Sequence, residues 1–247
     1  MLYSNPRSST KSPSFYFKFW GVRGSIASPG PDTQKYGGNT ACVEVKAGKH
    51  IIILDGGTGL RRLGSQLMQE PSPKVLHIFL SHLHWDHIQG IPFFIPAFIK
   101  GNHVRFYGEN KDTQSLKEIL EAQMHSPNFP VPLSIMQAQI DFIEIKADQV
   151  FQFDDDVTVT TGQMNHPNGC LGIRVDYQGK SVVYTTDTEH DPQGTLDQNV
   201  LELAHQADAL IYDSMYTEEE YHAGKIGWGH STYTQAIRIA RALRERS

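Results

Sequence analysis

Cysteine is scarce in this sequence, which contains only Cys42 and Cys170 among 247 residues. Two cysteines are too few for a disulfide framework and form no C-x-x-C pair, which favours a reducing compartment.

Basic residues are also too few for a protein that binds duplex nucleic acid. The 22 Lys and Arg against 27 Asp and Glu give a net charge of −5, so no surplus positive charge is available to neutralise a phosphate backbone. We therefore expect a cytoplasmic protein that does not bind duplex nucleic acid.

Long hydrophobic runs are missing as well. The most apolar stretch, residues 91–99, is too short and too interrupted by proline to span a bilayer, so no membrane partner is expected. Residues 1–14 are rich in serine and proline and lack the apolar core of a signal peptide. We expect them to form a flexible tail before one domain at residues 15–247. With 39% hydrophobic residues, a chain of this size can bury one full-sized core.

Short apolar runs alternate with glycine, proline and asparagine, a pattern typical of a layered sheet protein. The runs predict strands at residues 40–45, 50–55, 75–80, 140–145, 157–161, 171–177, 181–186 and 209–213. Apolar residues at helical spacing predict helices at about 60–68, 112–124 and 195–206, and from 231 onward. The expected fold class is therefore α+β, a mixed sandwich of strands and helices.

Three imidazoles and a carboxylate fall within six residues directly after an apolar run, in the segment SHLHWDH at residues 81–87. Neutral imidazoles and carboxylates are ligands for zinc, manganese and iron. His82 and His84 can project from one side of a strand-to-helix turn, while Asp86 and His87 come from the next turn. This spacing suits two neighbouring ions. Without an ion, burial of so many polar groups beside an apolar strand would leave donors unsatisfied.

The segment HLHWDH resembles the H-x-H-x-D-H signature of the metallo-β-lactamase superfamily. Further segments follow in the order that this family shows: LDGG at 54–57, NHP at 165–167, TDT at 186–188 and GHST at 229–232. The branch related to ribonuclease Z and to phosphoribosyl cyclic phosphate phosphodiesterase is indicated by GVRGS at 21–25 and YGGNT at 36–40. The resemblance covers most of residues 20–232. It implies a metallo-β-lactamase-like αββα sandwich with the metal site at the sheet edge.

Carried onto this sequence, the resemblance implies two divalent metal ions, with zinc as the first choice and manganese or iron as alternatives. It assigns His82, His84 and His166 to the first ion. Asp86 and His87 are assigned to the second ion, and Asp187 is assigned to both. A bridging carboxylate offers an oxygen to each cation. The two ions would lower the pKa of a shared water and so provide a hydroxide nucleophile near neutral pH. Asp86 is therefore also expected to be essential for catalysis.

His230, in the GHST segment, is the expected catalytic acid, because the resemblance places it where it can protonate the leaving oxygen. Asp213 either orients His230 through a hydrogen bond or is a solvated turn residue, and the sequence leaves both open. Asp55 is expected to stabilise the backbone under the metals. Four side chains after the metal motif are candidate walls for a base or sugar, namely Phe93, Phe94, His125 and Phe129.

Members of the resembling branch carry one more histidine after the GHST helix, which completes the second metal site. This sequence has no histidine beyond His230 and ends at Ser247. We therefore expect either a chain that is shortened at its C terminus or a second ion that is held by fewer protein ligands.

The leading hypothesis is a dinuclear metal-dependent phosphodiesterase that hydrolyses a small phosphodiester, such as a cyclic nucleotide or a cyclic ribose phosphate. A tRNA 3′-processing endoribonuclease is the alternative enzyme, but the net charge of −5 and the lack of a long basic arm count against it. A carbon-ester or thioester hydrolase is disfavoured by the GHST segment. The alternative that is not an enzyme is a non-catalytic metal-binding sensor domain. The sequence leaves open whether the protein forms a homodimer.

Overall fold

The computed structural model describes residues 15–71, 73–111, 113–154 and 156–245, so the tail expected at residues 1–14 lies outside the described residues. The first of two β-sheets contains, in order across the sheet, β1 Phe15–Gly21, β2 Cys42–Ala47, β3 His50–Leu54, β4 Val75–Phe79, β5 His103–Gly108 and β6 Gln139–Glu144. The second sheet contains β7 Val150–Phe153, β8 Val157–Met164, β9 Cys170–Tyr177, β10 Lys180–Thr185 and β11 Ala209–Tyr212, ordered β11-β10-β9-β8-β7. Strands β1, β5 and β7 were not among those predicted from the sequence.

Parallel pairing brings the functional turns to one edge of the sandwich. Strands β3, β4, β5 and β6 are parallel to one another, and so are β10 and β11, whereas the other neighbouring strands are antiparallel. Because parallel strands end at the same edge, the turns after β3 and β4 lie side by side, and so do the turns after β10 and β11. These four turns carry most of the polar residues singled out in the sequence.

The helices are α1 Gly59–Leu67, α2 Trp85–Ile88, α3 Leu116–Ala122, α4 Gln198–Leu203, α5 Glu218–His222 and α6 Tyr233–Glu245, with 3-10 turns at Pro31–Thr33, Ile91–Phe93, Ile95–Phe98 and Leu133–Ile135. The helix predicted from residue 112 begins only at Leu116, because Ser115 and Glu118 form a capping box there. The helix predicted at 195–206 is likewise shorter. It follows Asp197, whose carboxylate accepts hydrogen bonds from two backbone N–H groups.

Three hydrophobic clusters lie between four layers. The first joins the outer face of the first sheet to α1 and α3, and includes Leu63 and Phe106. The second fills the space between the sheets, where Phe79 and Ile173 are completely buried. The third covers the outer face of the second sheet with α4 and α6. This arrangement of helix, sheet, sheet and helix confirms the predicted αββα sandwich.

The two cysteines are free and buried. Burial raises the pKa of both thiols well above the usual value, so both are protonated and unreactive at neutral pH. None of the helices in the described ranges is long and apolar enough to cross a membrane.

His77 makes the folded protein sensitive to acid. It is 2% exposed in β4, and its Nδ1 lies 3.0 Å from the hydroxyl of Tyr107. Burial and the positive charge of Arg105 lower its pKa to about 4. As the pH falls below the unfolded pKa of about 6.5, the unfolded chain takes the proton first. Stability present at neutral pH is therefore lost towards pH 4, by about 3 kcal/mol.

Urea unfolding at pH 7 and pH 4.5 measures this loss. We expect His77→Gln, which keeps a partner for Tyr107 but does not titrate, to lose less stability than the parent between these two pH values. Equal losses in the two proteins would contradict the assignment to His77.

Candidate metal centre

A buried carboxylate supports the turn after β4. Asp55 follows β3 at φ 64° and is completely buried. Its oxygens accept hydrogen bonds from the backbone N–H and hydroxyl of Ser81 at 2.8 Å and from the hydroxyl of Tyr184 at 2.8 Å. The Nδ1 of His87 lies 2.7 Å from the same carboxylate. Since that nitrogen is held by Asp55, only the Nε2 of His87 remains to face the candidate site.

A first set of donor atoms converges from three turns. The Nδ1 of His84 lies 2.9 Å from the Nε2 of His82 and 3.1 Å from the Nε2 of His166. An oxygen of Asp187, in the turn after β10, lies 3.5 Å and 3.6 Å from those two Nε2 atoms. A tetrahedral zinc ion with bonds of 2.0–2.1 Å needs donor atoms about 3.3 Å apart. These four side chains therefore fit a divalent ion.

A second set shares the same oxygen of Asp187. The Nε2 of His87 lies 3.4 Å from Oδ2 of Asp187 and 3.4 Å from Oδ2 of Asp86. The Asp86 carboxylate also accepts a 2.7 Å hydrogen bond from the backbone N–H of Ser25, a residue to which the sequence assigned no role. The only earlier signal was the GVRGS segment that contains it. Asp187 is the member common to both sets.

The electrostatics favour cation binding at the first set. Burial lowers the pKa of His82 well below its usual value and also lowers the pKa of His84, so both imidazoles are neutral and offer a lone pair. Burial by itself would raise the pKa of Asp187, but the charge of the neighbouring His87 holds it well below its usual range. The first set thus presents an ionised carboxylate beside the neutral imidazoles of His82 and His84.

Asp213 and His230 form a hydrogen-bonded pair beside these donors. The Nδ1 of His230 lies 2.9 Å from Oδ2 of Asp213, and its ring centroid lies 5.2 Å from that of His166. Asp213 is therefore not a solvated turn residue. Burial by itself would lower the pKa of His230, but Asp213 raises it above the usual value. His230 is thereby biased towards the protonated form near neutral pH, as a proton donor requires.

A groove of about 540 Å³ opens onto this pair. Its lining includes His87, Asp187 and His230 together with the β1 side chains Phe17 and Phe19. The groove passes between β1 and β11, which are the edge strands of the two sheets. A small elongated molecule can therefore reach the polar residues along a partly apolar channel.

The residues predicted to contact substrate lie elsewhere. The prediction for Phe94 is wrong, because its ring is completely buried in the first hydrophobic cluster, against Gly64 of α1. Phe93 is 51% exposed, and its ring centroid lies 5.6 Å from that of Phe129. His125 is exposed. None of these three lines the groove described above, so a role in substrate binding stays a prediction for them.

Unequal ion occupancy follows from the two donor sets. The first set has four protein donors, whereas Asp86, His87 and the shared Asp187 make only three in the second, so water or substrate must fill its open positions. We expect a chelator titration to remove one ion at lower chelator concentration than the other. If both ions leave together, a further donor completes the second set. His230 is then the first candidate, because Asp187, Asp213 and His230 bring donor atoms within 4.8 Å of one another.

Comparison with known proteins identifies similar sequences and folds. A model of the β-lactamase superfamily domain matches residues 50–247. Ribonuclease Z of Haloarcula marismortui is 22% identical over an alignment of 269 positions. This alignment covers 90% of this chain and 81% of that protein. The crystal structure of human tRNase Z, short form, superposes with a TM-score of 0.63 at 20% identity, over 92% of this chain and 88% of that one. A diphosphatase from the PhnP family gives a TM-score of 0.58 at 20% identity, over 83% and 70%.

Proposed function

Because this chain belongs to the β-lactamase superfamily, we propose that it is a metal-dependent phosphodiesterase that hydrolyses a small phosphodiester, such as a cyclic nucleotide or a cyclic ribose phosphate. One observation carries the proposal. A histidine whose pKa is raised by a buried carboxylate, His230 with Asp213, stands beside a cluster of metal-ligating side chains. Phosphodiester hydrolysis needs both a cationic centre and a proton for the leaving oxygen.

The two donor sets support a choice of metal ligands. His82, His84, His166 and Asp187 would hold one divalent ion, and Asp86, His87 and Asp187 would hold a second. Ions bound there supply Lewis-acid activation of water and neutralise charge on the phosphate. Zinc is our first choice because the first set offers four donors, three of which are imidazole nitrogens, with manganese or iron as the alternatives.

The protein residues would orient the substrate and handle the proton. The phosphate would bind beside Asp187 and His230, which line the groove together with side chains of β1. His230 donates its proton to the leaving oxygen. Asp213 holds the Nδ1 of His230 and stabilises the charged imidazole, so that the opposite nitrogen faces the substrate.

A tRNA 3′-processing endonuclease is the second candidate, and the similarity to ribonuclease Z over 90% of this chain favours it. The net charge of −5 opposes it, because tRNA binding depends on neutralising many phosphates. A panel of cyclic and linear phosphodiesters and a precursor tRNA, each assayed with zinc and with manganese, tests the proposal. We expect turnover of a small phosphodiester and no cleavage of the precursor tRNA; the reverse result would establish the second candidate.

A further inference from the structure

Glu189 lies two residues after Asp187 and is 8% exposed. Its carboxylate accepts three hydrogen bonds of 2.7 Å each, from the hydroxyl of Tyr221 and from the backbone N–H groups of Gly227 and Gly229. Its backbone N–H also donates to the carbonyl of Asn165 at 2.7 Å. One buried carboxylate thus ties the turn after β10 to the loop at residues 227–229.

That loop reaches two proposed functional side chains. The carbonyl of Gly229 accepts a 2.8 Å hydrogen bond from the Nδ1 of His166, which leaves the Nε2 of His166 for the ion. His230 is the next residue along the chain. A Cβ added to Gly229 would lie 2.2 Å from the Nδ1 of His166, so the loop backbone is in direct contact with the imidazole.

On its solvent side the loop is held by a hydrogen bond from the backbone N–H of Trp228 to the carbonyl of Lys225 at 3.1 Å, and the Lys225 ammonium lies 3.8 Å from the centroid of the Trp228 ring. Gly227 and Gly229 have φ values of 86° and 85°, a backbone region that glycine adopts without steric cost because it has no Cβ. Trp228, between them, is 57% exposed. Hydrogen bonds to a charged acceptor are stronger than those between neutral groups, and Glu189 provides two of them to the backbone of this loop. Its carboxylate therefore restrains this segment together with the His166–Gly229 and Trp228–Lys225 hydrogen bonds.

We propose that Glu189 is a positioning residue, which holds the 227–229 loop so that His230 faces the leaving oxygen. The effect on catalysis rests on the proposed phosphodiesterase function, whereas the effect on the loop does not. Glu189 touches neither the substrate groove nor a ligand atom in this account; it acts through the backbone of Gly227 and Gly229.

The variant Glu189→Gln tests this role, because an amide has one accepting oxygen and presents an NH₂ group to a loop N–H. We expect the amide hydrogen of Gly229 or Gly227 to exchange at least about tenfold faster in this variant, as a charged hydrogen bond is lost. We also expect at least about a tenfold lower kcat with a poor leaving group and a smaller deficit with p-nitrophenolate, which needs little protonation.

Three further variants make the test specific. Tyr221→Phe removes one donor to Glu189 but keeps both loop contacts, so its exchange and kcat should stay near those of the parent. Glu189→Asp keeps the charge on a shorter side chain and should fall between the parent and Glu189→Gln; it also replaces that variant if Glu189→Gln does not fold. In a His230→Ala background, Glu189→Gln should lower the rates for good and poor leaving groups by the same factor.

Unchanged exchange at both loop amides in folded Glu189→Gln would overturn the proposal, as would equal deficits for the two leaving groups when His230 is present. If the parent hydrolyses no phosphodiester at all, the proposed function fails. The exchange measurement then still decides whether Glu189 holds the loop, because it needs no activity.

Discussion

Replacing Asp187 with asparagine should lower phosphodiester hydrolysis by more than about 10²-fold and reduce the metal content of the protein. One oxygen of Asp187 lies 3.4–3.6 Å from nitrogens of His82, His87 and His166. Asparagine keeps the size of the side chain but removes the charge that holds both proposed ions. Asp86→Ala, which removes a donor from the second set, should have a loss of the same order with the fold retained.

Metal analysis and steady-state kinetics on the same preparations measure both effects. Asp154→Asn is a matched control, because the Asp154 side chain is 86% exposed and pairs with Lys49, away from the donor sets. We expect the control to keep the parent rate and metal content. A folded Asp187→Asn protein that hydrolyses phosphodiesters at close to the parent rate would contradict the dinuclear hydrolase account.

Replacing His230 with alanine should separate acid catalysis from metal binding. Loss of a general acid costs about 10²- to 10⁴-fold in rate for a poor leaving group. With p-nitrophenolate the loss should be much smaller, because that anion leaves without a proton. The metal content should remain that of the parent, since His230 is held by Asp213 rather than placed in the first donor set.

An equal deficit for good and poor leaving groups would make His230 a ligand or a positioning residue instead of the acid. Measuring bound metal in the same variant distinguishes these two outcomes. A loss of one ion would place His230 in the second donor set.

The mixed sandwich of strands and helices and the convergence of the metal motif could be predicted because both depend on local sequence, whereas the αββα order of the layers came from the family resemblance. Apolar runs mark the central strands, and the residues of HLHWDH are contiguous, so a single turn after β4 brings most of them together. The distant His166 and Asp187 were assigned by family resemblance alone, since nothing in their own segments fixes which turns become neighbours in space.

Other features depend on tertiary contacts that no local pattern encodes. Glu189 received no role because its three partners lie 32 to 40 residues further along the chain. Phe93 and Phe94 are adjacent in sequence, but one is half exposed and the other completely buried, and only packing against α1 decides which. Strand β5 was missed because His103 and Arg105 alternate with its apolar residues, and this polar face interrupts the apolar run.

Hydrolysis of bis(p-nitrophenyl) phosphate before and after metal removal tests the central claim most directly. The protein is stripped with a chelator, checked for folding by circular dichroism, and reloaded with measured amounts of zinc or manganese. The account predicts no turnover by the stripped protein and a rate that returns as ions bind to the His82, His84, His166 and Asp187 cluster. A folded protein that binds metal but does not hydrolyse the diester, or one that keeps its full rate without metal, would contradict it.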